Sequence, residues 1–158
     1  MSEISKTGFW QSSTAHLHHV NSEPLSNWIA DYLKEDKYIP LYDFGCGLGF
    51  YLQKLHDSGF KKLSGFEGDP AKHKIFNNII KQDLTIPFKL PVQGNCIFLE
   101  VAEHIPAEFE EVALNNVISA CNNKLLMSWA VRGQAGFGHV NCLDNNEVIE
   151  KMTKKGFE

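Results

Sequence analysis

No stretch of the sequence approaches the ~20 consecutive apolar residues that a membrane-crossing helix needs. Its first residues, Met1-Ser2-Glu3-Ile4-Ser5-Lys6, lack the apolar core of a signal peptide. Both absences lead to the expectation of a cytoplasmic protein with no membrane contact. A basic excess is missing as well. The formal net charge is −4 and the isoelectric point is near 6.0, which leans away from nucleic acid, whose usual binder carries a basic face. No C-x-x-C pair occurs among Cys46, Cys96, Cys121 and Cys142. Reduced thiols are expected rather than disulfides or a zinc site. Internal repeats, low-complexity tracts and linkers are also absent. The 158 residues are 43% hydrophobic and 22% charged, which places the chain among one-domain globular proteins able to bury a core.

What the sequence does hold is concentrated in Leu41-Tyr42-Asp43-Phe44-Gly45-Cys46-Gly47-Leu48-Gly49-Phe50. A short apolar run after Pro40 suits a buried parallel strand, and glycines at every second position lead into an amphipathic segment. This reads as strand, tight turn and helix start. Glycine opens backbone angles closed to other residues and lets a ligand approach the main chain. Leu63-Ser64-Gly65-Phe66 reads as the next strand, and Glu67 closes it roughly 20 residues past the glycine turn, the spacing at which a carboxylate accepts both hydroxyls of a ribose.

The glycine spacing separates two readings. A dinucleotide site has G-x-G-x-x-G facing a pyrophosphate. Here the pattern is D-x-G-x-G-x-G, with Asp43 on the strand itself. That carboxylate repels a pyrophosphate and attracts a cationic or amine-bearing ligand. The combination resembles motif I of the class I S-adenosylmethionine-dependent methyltransferases, and most nearly their small-molecule branch of methyltransferase types 11, 12 and 23.

The resemblance implies a Rossmann-like, doubly wound α/β fold with a mostly parallel sheet between helices, and S-adenosylmethionine as cofactor, with S-adenosylhomocysteine as product. It implies that Asp43, Gly45, Cys46, Gly47 and Gly49 shape the methionine and ribose site, that Glu67 and Gly68 hold the ribose, and that Asp83 receives the adenine amino group over Leu84. A loop carboxylate before Pro87 is the competing account of Asp83. The fourth strand, Asn95-Cys96-Ile97-Phe98-Leu99-Glu100, is followed by Val101-Ala102-Glu103-His104-Ile105-Pro106, a V-x-E-H-I-P run similar to the post-strand motif of the same family. Glu100 is thereby placed beside the cofactor. Glu103 and His104 offer acid/base chemistry, with helix capping and packing against the cofactor as the alternative.

The remaining elements follow from spacing. Ser22 and Pro24 announce a helix through Leu25, Trp28, Ile29, Tyr32 and Leu33, with Trp28 read as core. Tyr51 to His56 continues as a helix after the glycine turn, with His56 at its surface end. Residues 78–82 read as the third strand, 107–121 as an amphipathic helix and 124–130 as the fifth strand. The glycine-rich stretch 132–141 then offers Arg132, His139 and Asn141 to a substrate, with His139 also a catalytic candidate. Asp144 caps a last helix that ends at Gly156.

The family would continue past Phe157 into a strand 6/strand 7 hairpin. Either the chain is a truncated piece, or a five-stranded sheet has an exposed edge to be covered by a partner or a second copy. Residues 1–22 are expected to cap the cofactor site and residues 23–158 to form the methyltransferase domain. Trp10 and His19 are candidate wall residues. His16, His18 and His19 are crowded, but no Cys or carboxylate stands beside them at ligand spacing, and no metal is expected. The resulting reading is methyl transfer to an unidentified, small-molecule acceptor. A non-catalytic cofactor-binding or partner module is the alternative, and an NAD-dependent oxidoreductase is disfavoured by Asp43 and the glycine spacing.

Overall fold

The computed structural model describes residues 4–11, 13 and 20–158. Helix α1, Glu23–Tyr32, starts where the Ser22 hydroxyl accepts the Leu25 N–H at 3.2 Å, with Pro24 in the first turn. It buries Ser26, Ile29 and, just beyond its end, Leu33. Trp28 lies outside that stripe, contrary to the expectation that it is core: it is 52% exposed and stacks on Tyr32 at 5.0 Å. Its aromatic mass is sheltered by a neighbour on the same helix face, not by the sheet.

The chain then alternates strand and helix: β1 Leu41–Phe44, α2 Phe50–Asp57, β2 Leu63–Glu67, β3 Ile79–Lys81, β4 Gly94–Phe98, α3 Ala107–Ala120, β5 Cys121–Met127 and α4 Asn145–Lys154. The five strands are all parallel and lie in the order β3-β2-β1-β4-β5, with β1 in the middle. Among the described residues no strand follows α4, and β3 and β5 form the sheet's edges.

Side chains alternate across the sheet. Leu41, Leu63 and Ile97 face a core shared with Ile29 and Leu33 around α1 and with Leu52 and Leu55 of α2. Phe44, Phe66, Cys96 and Phe98 face the opposite core, with Leu114 and Val117 of α3 and Met152 of α4. Phe44 and Phe66 stack there at 5.1 Å. Burying each such side chain contributes about 1.5–3 kcal/mol.

The fifth strand begins earlier than the 124–130 reading, because α3 runs into β5 without a loop. A polar cluster at the sheet's amino end explains the pairing. Buried Asn95 accepts the Asn123 side-chain N–H at 2.8 Å and the Lys124 backbone N–H at 3.1 Å, and donates to Asp36. Lys124 Nζ in turn lies 3.0 Å from Asp36. Helix α4 opens with the expected Asp144, reinforced by Glu147 in a capping box.

Candidate functional site

The carboxyl ends of β1 and β2 lie side by side, with Phe44 opposite Phe66 in the register, and the glycine turn fills the crevice above them. Gly45 has φ +76°, and a Cβ there would come within 2.4 Å of the Val101 side chain, so no other residue fits. Gly49, at φ +82°, is the residue from which α2 starts. Cys46 packs its sulfur where a Cβ on Gly65 would stand, 2.4 Å away.

Glu67 is held by the backbone. Its Oε2 accepts the Gly47 N–H at 2.9 Å and its Oε1 accepts the Gly68 N–H at 2.8 Å. Each oxygen retains acceptor capacity for a ligand hydroxyl. Burial raises the Glu67 carboxyl above its usual range, and the amide hydrogen bonds work in the opposite direction. Asp43 is only 3% exposed, and its Oδ2 has no hydrogen-bond partner. Burial, with the Glu67 charge adding to it, pushes its pKa up to about 7. A buried carboxylate oxygen without a donor is suited to a cationic amine.

Asp83 and Leu84 form the next wall. Asp83 Oδ1 accepts from the Thr85 N–H and hydroxyl at 2.9 and 2.8 Å, and its Oδ2 accepts the Thr7 hydroxyl at 2.8 Å. Asn116, buried on α3, fixes this loop: its amide donates to the Leu84 and Ile86 carbonyls at 2.8 and 3.0 Å, and its Oδ1 accepts the Phe88 N–H at 3.0 Å. Asn116 and Thr7 were not apparent from spacing. A polar residue on the buried stripe of an otherwise apolar helix was the available signal for Asn116, and none existed for Thr7.

Beyond β4, Glu100 takes φ +56°, the one left-handed non-glycine residue among those described. Its N–H donates to the Ser128 hydroxyl at 2.8 Å, which donates to Glu100 Oε1 at 2.7 Å. Glu103 is fully buried and neither carboxylate oxygen has a hydrogen-bond partner. Burial raises its carboxyl, and the Glu100 charge adds to that. The Glu103 carbonyl accepts the N–H groups of Val140 and Asn141 at 2.9 and 3.0 Å, which docks the glycine-rich loop against it. His104 and His139 meet edge to face with ring centroids 5.1 Å apart.

These walls enclose a cavity of about 380 Å³, within the usual size of small-molecule sites. Asp43, Gly45, Cys46 and Glu67 line one end, Asp83 and Leu84 the side, and Glu100, His104 and His139 the other end. Gly47 and Gly68 contribute through the N–H groups that hold Glu67. Gly49 lies beneath, where a Cβ would meet Phe76 at 2.6 Å. Thr7, Gly8, Phe9 and Trp10 line the cavity as well. Phe9 lies on Gly68, and the Trp10 ring meets His104 at 5.2 Å. His16, His18 and His19 lie outside the described residues.

Two substrate-side expectations are corrected. Arg132 is turned away from the cavity, because its guanidinium pairs with Asp144, at 3.2 Å, and with Glu147 at the start of α4. Asn141 is buried in a structural role: its amide donates to Glu110 at 2.9 Å and its carbonyl accepts the Trp129 ring N–H at 2.6 Å. Fixed partners on neighbouring elements, invisible in the linear sequence, claim both side chains.

No protein-family model matches the chain. Over 67 residues it is 30% identical to the tRNA U34 carboxymethyltransferase of Shewanella baltica, a match covering 39% of this chain and 20% of that protein. The structure of magnesium protoporphyrin IX methyltransferase from Synechocystis PCC 6803, with S-adenosylmethionine bound, superposes with a TM-score of 0.65 at 18% identity, over 85% of this chain and 68% of that one. The chain has the class I methyltransferase fold. The [4+2]-cyclase SpnF also superposes on this methyltransferase fold, with a TM-score of 0.66 at 16% identity, over 99% of this chain and 61% of that one. A shared fold does not fix a reaction, so the chemistry has to be argued from the site.

Proposed function

We propose that the protein transfers a methyl group from S-adenosylmethionine to a small-molecule acceptor, in a cytoplasmic setting consistent with its free thiols. The observation that carries this reading is the pair at the ends of β1 and β2: Asp43, with a buried carboxylate oxygen lacking a partner, beside Glu67, fixed by the glycine-turn amides. In this reading Asp43 takes the ligand's amino group, Glu67 its ribose hydroxyls, and Asp83 with Leu84 its adenine. A pyrophosphate would meet two carboxylates, which disfavours NAD.

The sulfonium of the cofactor supplies an electrophilic methyl group on a good leaving group. The protein's contribution is then chiefly alignment and exclusion of water. Trp10 and Phe137, 6.3 Å apart, shield the end of the cavity where His104 and His139 stand. There His104 and His139 position the acceptor's nucleophile, with Glu103 buried behind them.

The size of the cavity and the net charge of −4 favour a small acceptor. The carboxymethyltransferase relative makes tRNA the macromolecule to include as a control. The test is incubation with methyl-labelled S-adenosylmethionine against a panel of small hydroxyl- and amine-bearing acceptors and tRNA. Label transfer to a small acceptor with equimolar S-adenosylhomocysteine supports the reading. Label on tRNA alone overturns the acceptor class. Cofactor binding without transfer to any acceptor points to a binding module or to a reaction of another kind on the same fold.

A further inference from the structure

Behind the wall at the far end of the cavity lies a feature that cofactor binding leaves unexplained. Glu103 is fully buried with two carboxylate oxygens that accept no hydrogen bond, although buried polar groups are normally satisfied. Such a group calls for a cation or a proton. Two imidazoles stand next to it: one ligand atom from each of Glu103, His104 and His139 lies within 4.8 Å of the others.

We propose that Glu103, His104 and His139 bind a divalent transition-metal cation at the acceptor end of the cavity. This departs from the sequence reading, which expected no metal, because the third ligand lies 35 positions from its neighbour in the chain and only the fold brings it back.

Backbone carbonyls hold both rings. His104 Nδ1 faces the Gly138 carbonyl at 3.1 Å and His139 Nδ1 faces the Gln134 carbonyl at 3.3 Å. A neutral imidazole donating from Nδ1 carries its lone pair on Nε2, as in metal-binding histidines whose tautomer a carbonyl fixes; His139 Nε2 rests on Gly136 and its Nδ1 also lies 3.9 Å from Cys142 Sγ, so its ring has to turn to ligate.

The separations fit as well. Metal bonds of about 2.0–2.2 Å require ligand atoms to come closer than 4.8 Å, and His139 is the member able to move. It lies on a loop with glycines at φ +83° (Gly133) and +81° (Gly138), whereas Glu103 and His104 share one helical turn. The two N–H groups donated to the Glu103 carbonyl tether that loop beside the other ligands.

The donor set selects the ion. Two imidazoles and one carboxylate suit zinc, manganese, iron(II) or cobalt, whereas magnesium and calcium take oxygen donors. Three protein ligands leave coordination positions open, as in catalytic rather than structural sites. His104 and His139 line the cavity, so those positions face the space given to the acceptor. That the cation would hold an acceptor oxygen there rests on the methyl-transfer reading; its binding does not.

The test uses the full chain stripped with a chelator, titrated separately with cobalt(II), zinc(II) and magnesium(II) by calorimetry. The cobalt complex is followed by its visible absorption. Expected are one cobalt or zinc ion per chain, weakening by about 100-fold or more in Glu103→Gln and in His139→Ala, and weaker binding of magnesium. A His16→Ala, His18→Ala, His19→Ala variant should keep the affinity. Circular dichroism and S-adenosylhomocysteine titration on each variant separate loss of the metal site from loss of fold or of the cofactor site. Failure of a folded, S-adenosylhomocysteine-binding chain to bind cobalt or zinc would overturn the proposal and leave the methyl-transfer reading standing. Binding unaffected by Glu103→Gln, or abolished by the N-terminal triple substitution, would overturn it too.

Discussion

Glu67 Oε2 accepts the backbone N–H of Gly47, twenty residues earlier in the chain, at 2.9 Å. The bond ties the end of β2 to the turn that follows β1, so one carboxylate both shapes the glycine turn and offers its remaining lone pairs to a ligand. In the proposed role of ribose holder, its removal costs the ligand two charge-assisted hydrogen bonds, each about 1.5–3 kcal/mol. Glu67→Ala is expected to weaken S-adenosylhomocysteine binding by about 100-fold or more in calorimetry, with Glu67→Gln intermediate. An unchanged affinity in Glu67→Ala would remove ribose binding from this residue.

Asp43 gives the site a pH dependence. Its carboxyl is raised from 3.8 to about 7 by burial and by Glu67, so the charge that attracts an amino group is absent below pH 7 and present above it. Between about pH 6 and pH 8 the affinity for S-adenosylhomocysteine should rise about tenfold, and Asp43→Asn should bind weakly with a flat profile.

The same group acts on stability in the opposite sense. A folded-state pKa above the unfolded one contributes stability that is complete below about pH 4 and lost as the pH rises through about 7. Asp43→Asn escapes that loss. Its ligand-free melting temperature should match the wild type near pH 4 and exceed it by about 10 °C at pH 8. Equal melting temperatures at both pH values would show that Asp43 is not destabilised by burial.

Asn116 holds the loop from Leu84 to Phe88 by three hydrogen bonds. Asn116→Leu leaves two carbonyls and one N–H without that partner, at a cost of about 2–3 kcal/mol. Thermal unfolding should show a fall of about 4–10 °C, with cofactor affinity reduced because Asp83 and Leu84 lose their support.

The segment carrying Thr7, Phe9 and Trp10 contributes to the cavity wall but adds no strand to the sheet. Removing residues 1–21 should leave cooperative unfolding intact, since among the described residues both apolar cores lie within residues 22–158. Dissociation of S-adenosylhomocysteine, followed by stopped flow, should become at least about tenfold faster. An unchanged rate would deny the segment a covering role.

The parts of the site that the sequence made legible were those carried by consecutive residues. The run from Asp43 to Gly49, Glu67 at a strand end, and Glu103 beside His104 each sit within a single element or its turn, and periodicity places such residues before any tertiary contact is known. Arg132, Asn141 and Trp28 were misplaced for one shared reason: the partners that decide their direction, Glu147, Glu110 and Tyr32, are read only from the folded chain. The β5 boundary shifted because buried Asn95 selects Asn123 and Lys124 as neighbours, and residue propensity carries no trace of that choice.

The most direct test of the central claim is calorimetric titration of the purified chain with S-adenosylhomocysteine and, separately, with NADH. Saturable one-to-one binding of S-adenosylhomocysteine is expected, and none of NADH at matched concentrations. Binding of NADH in preference to S-adenosylhomocysteine, or no heat from either with a chain shown to be folded, would contradict it.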